Sequence, residues 1–182
     1  MLQPPIPHAG LAHIRLLALD VDGVLSDGRL YFNADGMETK AFHTQDGQGL
    51  KLLKHAGIQV ALITGRDSPM VTHRAQALGI AHVYQGCPDK LDTLTRLCHE
   101  LDISLDQVAY CGDDLPDLAA IQQAGVGISV PNAPDYMHHY ADWVTPREGG
   151  HGAVRDICDA LISARGLWDR ILPADNPTGS RA

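Results

Sequence analysis

Leu16-Leu17-Ala18-Leu19 carries no polar side chain, and the chain turns abruptly acidic at Asp20. The same change recurs down the sequence. Short apolar or β-branched runs at 14–20, 58–64, 82–85, 108–111, 126–130 and 142–144 each end in a polar cluster. Stretches of helical period separate them. Strands alternating with helices predict an α/β fold, a three-layer Rossmann-like arrangement around a parallel sheet of about six strands. Ser68-Pro69 reads as an N-cap and first-turn proline with Gly79 as the stop, and Ala56-Gly57 closes a helix beginning near Gly49. A last helix over 152–165 presents Val154, Ile157, Cys158, Leu161 and Ile162 as one apolar stripe.

One segment breaks the alternation. Residues 29–32 and 37–42 flank Asn33-Ala34-Asp35-Gly36, which predicts a small β-hairpin over about 29–43, inserted after the first strand. A two-stranded ribbon is marginal in water, so an arm carrying Leu30, Tyr31, Phe32 and Phe42 needs a covering surface. Its own core or a sister subunit could supply it. Residues 14–166 are expected to form the single domain, with 1–13 as an N-terminal extension and 167–182 as a flexible tail whose last ten residues are rich in Pro, Gly and polar side chains.

Composition narrows the class. With 182 residues and 45% hydrophobic content, the chain can bury one sizeable core. A net charge of -8 with 14 Lys and Arg argues against a nucleic-acid or anionic-membrane surface, so any phosphate must be handled locally. No run approaches the roughly 20 apolar residues of a membrane helix, and the start lacks a signal-peptide layout, so a cytoplasmic enzyme is expected. Cys87, Cys98, Cys111 and Cys158 stand singly and read as buried thiols. The ten histidines show no metal-ligand spacing.

The chemistry gathers at the strand ends, where open parallel sheets bind ligands. Asp20-Val21-Asp22-Gly23 sets two carboxylates two residues apart before a glycine turn. If Asp20 attacks phosphorus in line, it forms an aspartyl-phosphate, and Asp22 can protonate the departing alcohol and later take a proton from water. A solvated turn is the alternative for this pair on its own. The second run ends in Thr64-Gly65-Arg66, a hydroxyl and a turn whose N–H groups can clamp phosphate. Lys90 stands at a helix start, where the helix dipole does not favour a cation, and a bound anion would explain it. The fourth run leads into Gly112-Asp113-Asp114-Leu115-Pro116-Asp117. Asp20, the carbonyl of Asp22 and Asp113 form an oxygen set suited to Mg2+. Asp114 and Asp117 are open to a second reading as caps of the following helix.

These four elements, in this order, resemble the haloacid dehalogenase superfamily of phosphohydrolases, whose pattern is D-x-D-G, Ser/Thr, Lys and G-D-D-x-x-D. The resemblance spans about 16–144 and implies a Mg2+-dependent phosphomonoesterase, since Asp22 occupies the position that phosphatases fill with an acid and ion pumps with threonine. Within it, Asp20 to Gly28, Phe42 to Gly49, Ile63 to Arg66, Tyr84 to Gly86 and Gly149 to Arg155 resemble the family of 3-deoxy-D-manno-octulosonate 8-phosphate (KDO 8-phosphate) phosphatases. That resemblance implies no large cap domain, a homotetramer whose hairpins form a central barrel, and a neighbouring subunit closing each site. It also implies a phosphorylated sugar-acid substrate on the path to lipopolysaccharide.

By local context, Arg66 and Arg74 correspond to substrate-side arginines, with a solvated helix face as the alternative for Arg74. Asp46-Gly47 corresponds to a loop near the substrate, with helix capping as the alternative for Asp46. His151 stands where the family often carries arginine in Gly-Gly-Arg-Gly. Phosphatases of nine-carbon ketosugar acids, a phospho-acceptor signalling domain and a noncatalytic oligomeric sugar-phosphate binder are the competing readings. The acids of a signalling domain would come in another order, and a binder would not need nucleophile, acid, lysine and metal acid together.

Overall fold

The fully apolar strand Leu16–Leu19 (β1) has no solvated face to offer, and it lies in the middle of the sheet with all four residues buried. In this computed structural model, which describes residues 8–172, β1 pairs in parallel with Gln59–Ile63 (β4) on one side and Val108–Cys111 (β6) on the other. The sheet continues outward through His82–Tyr84 (β5) beside β4, and through Val126–Ser129 (β7) and Trp143–Val144 (β8) beyond β6. All six expected strands are present and every pairing is parallel. Each stops one residue short of its expected end except β6 and β8, and β8 instead loses its first residue, Asp142.

Because the order is β5-β4-β1-β6-β7-β8, the chain builds outward from β1 in one direction, then crosses back and builds in the other. Right-handed crossovers therefore place the two sets of helices on opposite faces. Thr44–His55 (α2) packs on Ala153–Ala164 (α7) and touches Pro69–Leu78 (α3), whereas Lys90–Leu101 (α4) packs on Leu118–Gln123 (α5). The reversal also opens a crevice at the carboxyl end of β1, between the loops after β4 and β6. A short turn of helix, Asp135–His138 (α6), lies between β7 and β8.

Helix punctuation differs from expectation in two places. Ser68 occupies the N-cap of α3 and Gly79 its left-handed C-cap, but the Ser68 hydroxyl makes no capping bond. Helix α2 begins at Thr44, five residues before the expected start, which puts Asp46 and Gly47 inside its first turn. The hairpin is shorter than predicted: only Tyr31–Phe32 (β2) and Glu38–Thr39 (β3) pair, held at the turn by the Asn33 side chain accepting from Asp35 and Met37 N–H groups.

The segments expected to flank the domain contribute to it. His8–Leu11 (α1) packs on α7, and Leu11 is fully buried. Trp168–Ile171 (α8) forms one helical turn against the core, with the Trp168 indole N–H donating to Ser163 Oγ at 2.7 Å. Apolar side chains at 11, 167, 168 and 171 explain the difference, since their burial outweighs the local polarity of each terminus. The expectations for 1–7 and 173–182 lie outside the described residues. Cys98, Cys111 and Cys158 are buried thiols, while Cys87 is only half-buried, and all four are free.

Candidate active site

Asp20 follows β1 directly and stays in the sheet's hydrogen-bond ladder, its N–H donating to Cys111 C=O at 2.9 Å. Backbone pairing thus fixes its side chain at the mouth of the crevice, 5% exposed. Carboxylate oxygens of Asp20, Asp113 and Asp117 all lie within 4.8 Å of one another. Burial pushes the Asp20 carboxyl up to about 8, with the Asp117 charge adding to it and Lys90 opposing. Asp113 is pushed up to about 6, again by burial first and Asp117 second. Three acids converging in low dielectric call for a cation. Lys90 is one: its Nζ lies 2.8 Å from Asp20 Oδ1 and 2.7 Å from Asp117 Oδ1. Burial opposes the Lys90 charge, but the two carboxylates outweigh it and raise its pKa. The anion expected at the start of α4 is therefore this acid pair, with Asp89, not Lys90, supplying the N-cap.

Glycines make room for the acids. A Cβ on Gly23, whose φ is +96°, would meet Asp113 Oδ2 at 1.9 Å, and one on Gly112 would meet Asp117 Cγ at 2.3 Å. The two glycine turns are thus what let carboxylates from the β6 loop reach the β1 loop.

Asp117, left open between two readings by its spacing alone, is a centre of the network. Its Oδ1 accepts from Lys90 and from the buried Tyr110 hydroxyl at 2.7 Å, and its Oδ2 faces the Asp113 and Asp114 N–H groups at 3.3 and 3.4 Å. Both oxygens are committed to the protein, so it positions Lys90 and the Asp113 loop and leaves Asp20 and Asp113 as the carboxylates free for a metal. Asp114 is a cap, accepting from Leu115 N–H at 2.8 Å. Tyr110 was the signal that could have distinguished the two: a hydroxyl buried in β6, seven residues earlier in the chain, needs a partner.

The Asp22 carboxylate is held by other partners and is not one of this acid group. It contacts Lys40 Nζ, and Ser26 Oγ donates to its Oδ1 at 3.4 Å, so only its main-chain carbonyl is left to join Asp20 and Asp113 as a ligand. Thr64 sits across the crevice, buried, tied by its N–H to Tyr84 C=O and by its C=O to Cys87 N–H. Its hydroxyl accepts only a long 3.4 Å contact from Arg66 N–H, and Gly65 beside it is exposed. Lys40 was missed in the sequence, where it reads as one more polar residue of the hairpin; its side chain is 1% exposed.

Two expected substrate groups, Asp46 and Gly47, are placed differently, and two arginines line the open side of the site. Asp46 is neither a ligand on a loop nor the N-cap of its own helix. It is fully buried within α2 and its Oδ1 accepts from Arg155 N–H at 2.8 Å, capping the start of α7, with burial holding its carboxyl above the usual range. Gly47 is a packing glycine: a Cβ there would meet the Arg74 guanidinium at 2.3 Å. Arg74 is not on a solvated helix face. It donates to His43 C=O at 3.2 Å, lies 5.6 Å over the Phe42 ring, and lines an open cleft of about 390 Å³ with Lys40, Phe42, Pro69, Met70 and His73. Arg66 is half-exposed at the rim, donating to both Glu38 carboxylate oxygens at 3.1 Å. His151 is exposed on the loop that packs beneath Gly23, where Asn132 accepts from Gly149 N–H and donates to Gly23 C=O.

Residues 83–157 match the haloacid dehalogenase-like hydrolase family. The chain is 44% identical over 168 residues to the 3-deoxy-D-manno-octulosonate 8-phosphate phosphatase KdsC of Salmonella typhimurium, covering 91% of this chain and 89% of the relative. The corresponding enzyme of Moraxella catarrhalis, solved with magnesium, phosphate and KDO, superposes with a TM-score of 0.88 at 49% identity, covering 90% of this chain and 94% of that one. The cobalt-bound enzyme of Haemophilus influenzae superposes with a TM-score of 0.83 at 39% identity, over 86% and 92% of the two chains.

Proposed function

Since the chain belongs to the haloacid dehalogenase-like hydrolases and is one of their phosphatases, we propose that it hydrolyses 3-deoxy-D-manno-octulosonate 8-phosphate to KDO and phosphate. The observation that carries the chemistry is the buried Asp20 carboxylate at the end of the central strand, 2.8 Å from Lys90 and grouped with Asp113. The choice of sugar acid is supported by relatives at 44% and 49% identity that are phosphatases of 3-deoxy-D-manno-octulosonate 8-phosphate, one of them solved with KDO.

Asp20 attacks phosphorus while the bond to the sugar oxygen breaks, and Asp22 gives that oxygen a proton. Water then attacks the aspartyl-phosphate with Asp22 as base, releasing phosphate and restoring the Asp20 carboxylate. Thr64 and the Gly65 N–H hold the phosphoryl oxygens, and Lys90 offsets charge on the nucleophile and on the transferring group. The donor set fits magnesium: hard oxygens from Asp20, Asp113 and the Asp22 carbonyl, with two acids held at raised pKa. Bound there, Mg2+ neutralises charge so that one anion can approach another.

Arg66 and Arg74 are the cationic groups available to the substrate carboxylate, one at the crevice rim and the other in the cleft beside Lys40. The hairpin leaves Phe32 60% and Met37 65% exposed, with Leu30 and Tyr31 beside them. An apolar arm of this kind supports a covering partner surface, which in our reading is the neighbouring subunit of a homotetramer. The described chain from α1 to α8 acts as one hydrolase domain, and a cytoplasmic location follows the reading as a KDO 8-phosphate phosphatase.

Phosphate release measured over KDO 8-phosphate, a nine-carbon ketosugar acid 9-phosphate and hexose phosphates tests the substrate. KDO 8-phosphate should give the highest kcat/KM, and equal turnover of all three would reject the assignment. Light scattering at assay concentration tests the tetramer.

A further inference from the structure

We propose that Lys40, carried in by the hairpin, is a positioning residue that anchors one oxygen of Asp22 and leaves the other to carry the proton. This rests on the reading of Asp22 as the acid and base of the reaction. The neighbouring hairpin strands are open to solvent, yet the Lys40 side chain is 1% exposed and its ammonium contacts Asp22 Oδ1 and lies 3.2 Å from Glu38 Oε1. Withdrawing an ammonium from water costs several kcal/mol unless carboxylates meet it. Here two do.

The pairing extends further. Glu38 takes Arg66 from the turn after β4 at 3.1 Å, so Arg66, Glu38, Lys40 and Asp22 form a chain of alternating charge from the phosphate-clamp loop, through the hairpin, to the acid. Its effect on Asp22 is asymmetric. Oδ1 receives both Lys40 and the Ser26 hydroxyl, whereas Oδ2 has Arg66 Nε at 3.9 Å, beyond hydrogen-bond range. Oδ2 is therefore the oxygen whose proton passes to the leaving-group oxygen as the phosphorus–oxygen bond breaks. The same oxygen receives the proton of the attacking water in the second half-reaction. A carboxylate tethered at one oxygen cannot rotate that proton away from the leaving group, which is the positional part of general-acid efficiency.

A lysine that merely fastened the hairpin would affect all substrates alike. The discriminating measurement is kcat/KM at saturating Mg2+ for a series of aryl phosphates of increasing leaving-group basicity, with wild type, Lys40→Met, Lys40→Gln, Lys40→Arg and Asp22→Asn compared. Poor leaving groups need the proton and good ones do not, so Lys40→Met should slow the poorest by about tenfold or more and the best by less than about threefold. Lys40→Arg should recover most of that loss. In the Asp22→Asn background, Lys40→Met should add nothing. Equal losses across the series in both Lys40→Met and Lys40→Gln would overturn the inference, as would a change confined to KM. If Asp22→Asn itself leaves the leaving-group dependence unaltered, the role of Asp22 falls; if it steepens the dependence and the lysine variants do not, only the role of Lys40 falls.

Discussion

The Asp113 carboxylate lies over the Cα of Gly23, so close that a β-carbon there would come within 1.9 Å of Oδ2. Gly23→Ala cannot be absorbed by a small shift, because Gly23 C=O is also held by Asn132. The variant should displace Asp113 and weaken magnesium binding by about tenfold or more. Titration of activity with Mg2+ reads this directly: a raised half-saturating concentration is expected, and unchanged Mg2+ dependence would count against Asp113 as a ligand.

Asp20 and Asp113 keep their protons to about pH 8 and about pH 6 in the metal-free protein, above the usual carboxylate value of about 4 expected in the unfolded chain. Their folded-state pKa values are raised, so the stability they contribute is complete below about pH 4 and is lost as pH rises toward 8. Metal-free Tm should decline across that window, and added Mg2+ should raise Tm more at pH 8 than at pH 5. Asp20→Asn should abolish turnover, remain folded and flatten the upper part of the decline. Thermal melts at several pH values, with and without Mg2+, check the stability outcomes, and a phosphate-release assay of Asp20→Asn checks the loss of turnover.

Asp117 should prove essential without touching substrate. Asp117→Ala leaves the Tyr110 hydroxyl unpartnered and Lys90 with one carboxylate instead of two, in a buried site. A loss of about 3 kcal/mol in stability is expected, with kcat reduced and Mg2+ dependence altered. Chemical denaturation and steady-state kinetics on the same preparation would separate this from a variant that is only inactive.

Asp46 gives the opposite pattern. Because it caps α7, Asp46→Ala should cost about 1–2 kcal/mol of stability and leave KM for the sugar phosphate within about twofold of wild type. Normal stability with a raised KM would return Asp46 to the substrate side.

The sheet was legible in the sequence because each strand is an uninterrupted apolar run with a sharp polar end, and a parallel strand buried on both faces has few other ways to look. Asp20, Thr64 and Asp113 could be picked out for the same reason, each standing where such a run stops, and Lys90 because a cation at a helix start needs an anion beside it. Asp117, Lys40 and Asp46 were not. Their roles depend on partners 27, 18 and 109 residues away, Lys90, Asp22 and Arg155. No local period encodes a contact of that span. The burial of Leu11 and the turn at Trp168 were hidden differently, by isolated apolar residues in otherwise polar surroundings.

The position of β1 bears on how the molecule opens. Hydrogen-bonded on both edges and buried on both faces, β1 belongs to the part of the sheet that exchanges its amide protons only in global unfolding, and Asp20 N–H shares its ladder. The two-residue strands of the hairpin belong at the other extreme, where opening costs little. The nucleophile thus sits in the part of the chain most protected from exchange, while the hairpin that carries Lys40 sits in the part least protected.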